Sequence, residues 1–206
     1  MKMNNITLIG MPGAGKSTLG VVLAKILGYE FLDSDLLIQK EEKRRLYQII
    51  DEEGEEGFKT IENRVNASID TENTVIATGG SVVYCSEAME HLKSIGKVVY
   101  LSLSLESLEK RLGNLKKRGV LLKEGQTLKS LYEERVPLYE KYADIVVDEE
   151  GKDLEASLQA LLETLQKEIN KELGRLLFMV VCLNCRQRRA RSSWSKNNRG
   201  VLWNSM

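Results

Sequence analysis

The sequence has few of the residues that hold disulfide-bonded or zinc-binding proteins together. Its 206 residues include three cysteines and one histidine. Three cysteines are too few for a disulfide framework in a chain of this length, and no Cys/His cluster indicates a zinc site. The apolar run at 176–183 is far shorter than the roughly 20 residues that cross a bilayer, and no signal peptide is recognisable. We therefore expect a cytoplasmic protein that is not membrane-bound.

The sequence also lacks net charge, but the two signs are unevenly distributed along the chain. Basic and acidic residues number 30 each, yet residues 174–206 contain seven basic residues and no acidic one. Residues 1–173 then hold 23 basic against 30 acidic residues, a formal charge of −7. We predict one domain over 1–173 and a basic, poorly structured extension over 174–206. No recognition motif organises the charges of that extension, so we do not expect nucleic acid as a partner.

Apolar runs and helical patterns alternate along residues 1–173, which favours a three-layer α/β domain with a mostly parallel sheet. We expect strands buried on both faces at Ile6–Ile9, Glu30–Leu32, Thr74–Ala77, Val98–Leu103 and Ile145–Val147. We expect helices at Lys16–Leu27, Leu36–Glu53, Phe58–Ser68, Glu87–Ser94, Leu105–Leu112, Leu128–Tyr142 and 154–173. In such sheets, ligands bind at the carboxyl ends of the strands.

A glycine-rich loop follows the first predicted strand. Gly10–Ser17 reads Gly-Met-Pro-Gly-Ala-Gly-Lys-Ser, with a helix expected after it. This pattern is the P-loop (Walker A motif), in which backbone N–H groups surround the phosphates of ATP, the lysine bridges the outer phosphates and the serine ligates Mg²⁺. We expect phosphate contacts from Gly13, Ala14, Gly15, Lys16, Ser17 and Thr18. A chance match to a glycine-rich turn is the competing interpretation, and the flanking strand and helix argue against it.

Two carboxylates follow the second predicted strand, at Asp33 and Asp35. Residues two apart in an extended chain face the same side, so both could enter one cleft. One could order magnesium waters or accept a proton, and the other could bind substrate hydroxyls. The competing interpretation is a solvated acidic turn that caps the next helix.

Further candidates are a glycine pair, four cations and a loop. Gly79-Gly80 follows the third strand and would let backbone N–H groups approach a ligand, unless it is a plain turn. The cations Lys59, Arg111, Arg118 and Arg135 could hold phosphate or carboxylate groups, although any one of them could be a solvated surface residue. Residues 113–127 are basic and glycine-punctuated, as in a mobile lid or an ordinary surface connection.

Taken in order, these motifs resemble the shikimate kinase family, a P-loop group similar to nucleoside monophosphate kinases. The resemblance covers about residues 4–170. It rests on the segments Gly10–Ser17, Leu32–Asp35, Gly57–Glu62, Thr78–Ser81, Arg111 to Arg118 and Glu134–Tyr139. It implies a five-stranded parallel sheet in the order 2-3-1-4-5, with helices on both faces and a mobile lid.

On the acceptor side, the resemblance implies a role for each matched residue. Asp33 would lie near Mg²⁺ and the attacked hydroxyl, and Asp35 would bind substrate hydroxyls. Gly79 and Gly80 would offer N–H groups, and Arg135 would hold a carboxylate, with Lys59 as a further substrate-binding residue.

On the nucleotide side, Arg118 in the lid would close over the phosphates and Arg111 would pack near the adenine. Lys16, Asp33 and Arg118 are the expected catalytic residues, and Ser17 and Asp33 the expected metal ligands. The activity implied is transfer of the γ-phosphoryl group of ATP to the 3-hydroxyl of shikimate, by a monomer.

Three departures from the family pattern leave alternatives open. Lys59 stands where the family usually has Arg, which keeps the charge but loses the planar fork. Ser81 ends the usual triple glycine, and the lid reads Arg118-Gly119-Val120-Leu121 instead of Arg-Pro-Leu-Leu. A kinase of another small hydroxy acid or polyol, such as homoserine or gluconate, fits the same changes. An alternative of another class is a non-catalytic nucleotide-binding module that uses the basic extension.

Overall fold

The computed structural model describes residues 5–112 and 126–171. Arg118, most of the predicted lid and the predicted extension lie outside these ranges. The strands are β1 Asn5–Ile9, β2 Glu30–Asp33, β3 Thr74–Ala77, β4 Gly96–Ser102 and β5 Ile145–Asp148. The helices are α1 Lys16–Leu27, α2 Ser34–Glu42, α3 Leu46–Ala67, α4 Ser86–Ile95, α5 Leu105–Leu112, α6 Leu128–Tyr142 and α7 at 154–171, with a short 3-10 helix at Val82–Tyr84.

The five strands form one parallel sheet in the order β2-β3-β1-β4-β5, as predicted. In its register, Leu8 of β1 lies between Ala77 of β3 and Val99 of β4. Parallel pairing sends the chain over the sheet after each strand, so the loops that follow the strands collect at one edge. Among the described residues, no helix is both long and apolar enough to cross a membrane.

Helices cover both faces of this sheet, because successive strand residues point to opposite sides. On one face, Ile76 and Tyr100 belong to a cluster with side chains of α4, α5 and α6. On the other face, Gly20 of α1 lies against Leu8 and Phe31, so closely that a methyl group there would be 2.8 Å from the phenylalanine ring. The three-layer architecture expected from the alternation of patterns is confirmed.

Burial differs between the central and the outer strands. Every residue of β1 and β3 is buried, whereas β2 is half-exposed and β5 alternates, with Val146 53% exposed. The prediction that all five strands are buried on both faces was therefore wrong for β2 and β5. These are the edge strands, which have a hydrogen-bonded neighbour on one side only.

The predicted helix at Leu36–Glu53 was also wrong. The chain turns after α2 at Lys43, whose φ is +54°, and α3 then continues to Ala67. Arg44 holds this corner with ion pairs to Glu42, Glu52 and Glu53 at 3.0, 2.6 and 3.0 Å. The apolar residues keep a helical spacing through this turn. The sequence therefore did not reveal the turn, because the spacing shows which residues are buried but not where the backbone changes direction.

Within α3 the helix is broken at Gly54, whose φ is 68° and ψ −177°. Only glycine adopts this combination readily. The helix predicted from Phe58 is thus the second half of α3. The limits predicted for α1, α5 and α6 coincide with the observed ones, and α4 extends one residue further at each end.

We predict that Gly54→Asn lowers the free energy of unfolding by about 1–3 kcal/mol, because asparagine does not readily adopt this conformation. Gly28 provides a matched control. It has nearly the same φ, 69°, but its ψ of 29° is left-handed helical, and neither glycine has an atom within 4 Å of an added Cβ. Asparagine tolerates that second region, so Gly28→Asn is expected to change stability by less than about 1 kcal/mol. Urea denaturation of both variants measures the difference, and equal losses would contradict this account of the break.

Candidate active site

A cleft of about 740 Å³ opens where the chain leaves β1, β2 and β3. Its lining includes most of the residues that the sequence predicts for the site: Gly13, Gly15, Lys16, Ser17, Thr18, Asp35, Gly79, Gly80 and Arg135. It also includes Gln39, Arg45, Tyr47, Ile50 and Phe58 from α2, α3 and the turn between them. The carboxyl edge of the sheet therefore meets the α2–α3 segment across one cavity.

The glycine-rich loop forms one end of this cleft. Gly10, Gly13 and Gly15 all have positive φ, and α1 begins directly after them without a side-chain cap at its N-terminus. The Lys16 ammonium group is buried and donates to the carbonyls of Gly10 at 2.8 Å and Met11 at 3.1 Å. Burial lowers the pKa of Lys16 to about 8, against the opposing effect of Asp35. The uncapped N–H groups and the lysine make this end suitable for anions.

Asp33 connects the loop to the second strand. Its Oδ2 accepts a hydrogen bond from the Ser17 hydroxyl at 3.0 Å. Its Oδ1 accepts from the N–H groups of Asp35 at 3.0 Å and Leu36 at 3.3 Å, which caps α2. The helix cap that we considered as an alternative to a ligand role is confirmed, and the same carboxylate also reaches Ser17.

Strand alternation was the wrong reason for expecting Asp33 and Asp35 to face one cleft. Asp35 lines the cleft, whereas Asp33 does not line it but contacts the lining residue Ser17. They are not in one extended segment, because β2 ends at Asp33 and Asp35 lies in the first turn of α2. The helical turn, not strand alternation, carries Asp35 into the cavity. Burial raises the pKa of Asp35, as does the neighbouring Asp33, and Lys16 opposes them.

A second carboxylate, Glu62 of α3, lies beside Asp35. Glu62 is fully buried, and this burial raises its pKa to about 7 against the opposing effects of Ser81, Arg135 and Lys16. Neither of its oxygens reaches full hydrogen-bond geometry with a partner among the described residues. Gly79 makes the approach possible, because a methyl group there would lie 2.6 Å from Glu62 Oε1 and 2.8 Å from Asp35 Oδ1.

Arg135 of α6 supplies a cation at the same end of the cleft. Its Nε donates to the Tyr84 hydroxyl at 3.2 Å, and its Nη1 lies 3.0 Å from the position that a methyl group on Gly80 would occupy. Tyr139 donates to the carbonyl of Gly80 at 2.6 Å and stacks on Tyr100, with ring centroids 5.1 Å apart. The guanidinium group is thereby held against the turn after β3.

Lys59 does not line the main cleft. It lines a smaller cavity of about 70 Å³, which shares four lining residues with the cleft, Ile50, Phe58, Ser81 and Arg135. Its ammonium group pairs with Glu56 at 2.7 Å and lies 5.3 Å from the centroid of the Tyr84 ring. Lys59 and Arg135 therefore both lie beside the ring of Tyr84.

The remaining candidate cations, Arg111 and Arg118, lie outside the two cavities or outside the described residues, and His91 and Cys85, for which no role was expected, line neither cavity. Arg111 donates to the carbonyl of Lys152 at 3.4 Å and lines neither cavity, and Arg118 is not described. His91 makes a 2.7 Å hydrogen bond to the carbonyl of Ile69, and burial raises the pKa of Cys85 to about 12. Across 5–112 and 126–171, no group of three or more His, Cys, Asp or Glu side chains could hold a metal ion.

Sequence reasoning missed Glu62 and Tyr84 as site residues. Glu62 stands in a segment that carried the family resemblance but was given no role of its own. A glutamate on a charged helix is usually solvated, and its local sequence does not show that this one is buried. Tyr84 lies in a 3-10 helix after the glycine pair, and no local pattern shows that it faces Arg135.

Comparison with known proteins gives consistent results. A family model described as shikimate kinase matches residues 12–166. The chain is 43% identical over 155 residues to the shikimate kinase of Francisella tularensis subsp. novicida, an alignment that covers 73% of this chain and 88% of that protein. It is 38% identical over 151 residues to the shikimate kinase of Persephonella marina, covering 73% and 92%. A solved structure of shikimate kinase from Acinetobacter baumannii in complex with shikimate has a TM-score of 0.72 and 36% identity, covering 84% of this chain and 96% of that one.

These matches include the segments that form the cleft. The family model extends from within the phosphate loop, through the α2–α3 segment and the turn after β3, to α6 and beyond. The resemblance drawn from the order of the motifs is confirmed, as is the sheet order that it implied. With a P-loop, two neighbouring carboxylates with raised pKa values and these relatives, the chain belongs to the shikimate kinase family of ATP-dependent phosphotransferases.

Proposed function

We propose that this protein transfers the γ-phosphoryl group of ATP to the 3-hydroxyl of shikimate, with Mg²⁺, as a cytoplasmic monomer. One observation carries the proposal: the anion-binding loop, the carboxylates of Asp35 and Glu62, and the Arg135 guanidinium group all line or border a single cleft. A phosphate site at one end and paired carboxylates with a cation at the other suit an acceptor that is hydroxylated and anionic. The relatives named above, including one solved with shikimate, support that choice.

At the phosphate end, the N–H groups of Gly13 to Thr18 would receive the triphosphate, and Lys16 would turn from the loop carbonyls to the outer phosphates. Ser17 and Asp33 fit a Mg²⁺ site, because a hydroxyl and a carboxylate meet there at 3.0 Å and Mg²⁺ prefers few protein oxygens alongside phosphates and water. The ion would neutralise charge on the phosphates. By the family resemblance, Arg118 would close over them and Arg111 would pack near the adenine.

At the acceptor end, Asp35 is better placed than Asp33 to take the proton. Both oxygens of Asp33 already accept hydrogen bonds, from Ser17 and from the N-terminus of α2. The substrate hydroxyl oxygen would bond to the γ-phosphorus, the bond to the bridging oxygen would break to release ADP, and Asp35 would receive the hydroxyl proton. Gly79 and Gly80 would offer N–H groups, and Arg135 with Lys59 would bind the carboxylate.

A coupled ADP-release assay with shikimate, ATP and Mg²⁺ tests the proposal, with phosphorus NMR to identify the product. We expect ADP release that depends on shikimate and yields a 3-phosphate. Homoserine and gluconate in the same assay test the alternative acceptors. Release no faster with shikimate than by hydrolysis in water would reject the proposed activity.

We predict that Asp35→Asn lowers kcat by about 10²- to 10⁴-fold, the usual contribution of a positioned base. In the unmodified protein, kcat should fall as the pH is lowered through the raised pKa of Asp35, because the protonated acid cannot accept a proton. Stopped-flow or steady-state ADP release over a pH series measures both effects. The exposed Asp51 serves as a control, since Asp51→Asn should leave the rate and its pH profile unchanged. A retained rate in Asp35→Asn would assign the proton to another group.

We predict that Glu62 makes the free energy of unfolding fall as the pH rises from about 4.5 to about 7. The carboxyl gives up its proton near its ordinary pKa of 4.5 in the unfolded chain but only near 7 in the folded protein. The unfolded state therefore binds fewer protons across this window, which favours unfolding by at most about 3 kcal/mol.

Glu62→Gln removes that titration, so its stability relative to the parent should increase between pH 4.5 and 7 and stay constant above. Urea denaturation at several pH values measures this difference. Glu90→Gln, at an exposed position of α4, should show no such trend. Parallel pH curves for the parent and Glu62→Gln would contradict this prediction, because they would show that Glu62 has the same pKa in the folded and the unfolded protein.

A further inference from the structure

Tyr84 contacts both cations of the acceptor end. Its hydroxyl accepts a hydrogen bond from Arg135 Nε at 3.2 Å. The Lys59 ammonium nitrogen and the Arg135 guanidinium carbon each lie 5.3 Å from the centroid of its ring, within the usual range for cation–π attraction. Tyr84 is half-buried and lines the small cavity with both cations, so it is not a core filler.

The hydrogen bond to Tyr84 determines which edge of Arg135 can meet a ligand. A guanidinium group binds a carboxylate in the bidentate manner either through its two terminal nitrogens or through Nε and one terminal nitrogen. Because Nε is occupied by Tyr84, the terminal edge remains, and Nη1 already lies against Gly80 at the cleft. Among the described residues, no carboxylate lies within salt-bridge distance of Arg135, although Glu62 is near enough to interact with it electrostatically. That edge can therefore still accept a ligand carboxylate.

The ring of Tyr84 has a second effect, on Lys59. A lysine lacks the planar fork of arginine, and its long side chain has many rotamers. The electron-rich ring attracts the ammonium group and holds it beside Arg135, whereas Glu56 draws it toward an exposed carboxylate. Tyr84 thus restricts the positions of two cations that would otherwise be independent.

We propose that Tyr84 is a positioning residue that orients Arg135 and Lys59 as a joint binding site for the acceptor carboxylate. The inference rests on the proposed function, because it assumes an acceptor that carries a carboxylate. It assigns to Tyr84 a part in acceptor recognition and none in phosphoryl transfer.

Steady-state kinetics of Tyr84→Phe tests this role, with shikimate and its methyl ester as acceptors. Phenylalanine keeps the ring but loses the hydrogen bond to Arg135, so KM for shikimate should rise about five- to tenfold. The KM for ATP and kcat should change by less than about twofold, because the phosphate end is untouched. The ester lacks the negative charge, so its kcat/KM should hardly change, and the preference for the acid over the ester should shrink by the same factor.

Two further variants show whether the effect is specific. Tyr84→Leu also removes the ring, and KM for shikimate should rise by a further factor of about three or more. Tyr29→Phe removes a hydroxyl from a tyrosine that follows α1 and lines neither cavity, and it should leave all parameters unchanged. Equal losses for the acid and the ester, or a matching rise in KM for ATP, would overturn the inference.

NMR of the Arg135 Nε–Hε group tests the orientation of Arg135 without any need for turnover. The signal is assigned by its absence from the spectrum of Arg135→Lys. The hydrogen bond should slow exchange of Hε with water in the parent, and Tyr84→Phe should accelerate it at least severalfold. If the parent does not phosphorylate shikimate, the proposed function fails, and this measurement still decides whether Tyr84 orients Arg135. Unchanged exchange in Tyr84→Phe overturns that orientation, and accelerated exchange supports it.

Discussion

Two carboxylates, Asp35 and Glu62, lie close to two cations, Lys16 and Arg135, and all four side chains are buried or half-buried. The rest of the site depends on that arrangement. Asp35 and Glu62 both have raised pKa values because burial disfavours their charged forms, while Lys16 favours both charged forms and Arg135 favours that of Glu62. The same burial lowers the pKa of Lys16. Ionisable groups that are buried in this way respond strongly to a new charge or proton nearby, because little solvent screens the interaction. Gly79 is what permits such close approach, because any side chain there would collide with both carboxylates.

The scaffold holds this cluster together from elements that are distant in the sequence. Asp33 links the phosphate loop to β2 through Ser17 and also caps α2, so the position of Asp35 in the next turn depends on the position of the loop. Glu62 comes from the second half of α3, beyond the break at Gly54. The ion pairs of Arg44 hold the α2–α3 corner that places this half against the turn after β3. The corner therefore helps to set where Glu62 lies relative to the turn after β3.

The contrast between the loop and Tyr84 explains how far the sequence could predict the site. The phosphate loop is recognisable because all its parts are local: glycines, a lysine and a serine in consecutive positions between a strand and a helix. The sheet order followed from the family resemblance, and strand periodicity alone would not have given it. Glu62 and Tyr84 could not be assigned, since their roles arise from packing between α3, α6 and the turn after β3, and nothing in their local sequence records those contacts. The turn at Lys43 was missed for a related reason. The backbone changes direction there without changing the spacing of the buried apolar residues, so the spacing does not show the turn.

The two departures from the family pattern on the acceptor side, Lys59 and Ser81, are neighbours in the structure. Both line the small cavity that also holds Tyr84 and Arg135. Ser81 approaches the Glu62 carboxylate and favours its charged form, and Lys59 lies beside the Tyr84 ring. Their effects therefore converge on the group that would meet the acceptor carboxylate, whereas Lys16, Ser17 and Asp33 keep the geometry of a phosphate site. Lys59 lacks the planar fork that an arginine would have at this position. Carboxylate binding is still possible, because the Tyr84 ring restricts Lys59 and the hydrogen bond from Nε to Tyr84 directs Arg135.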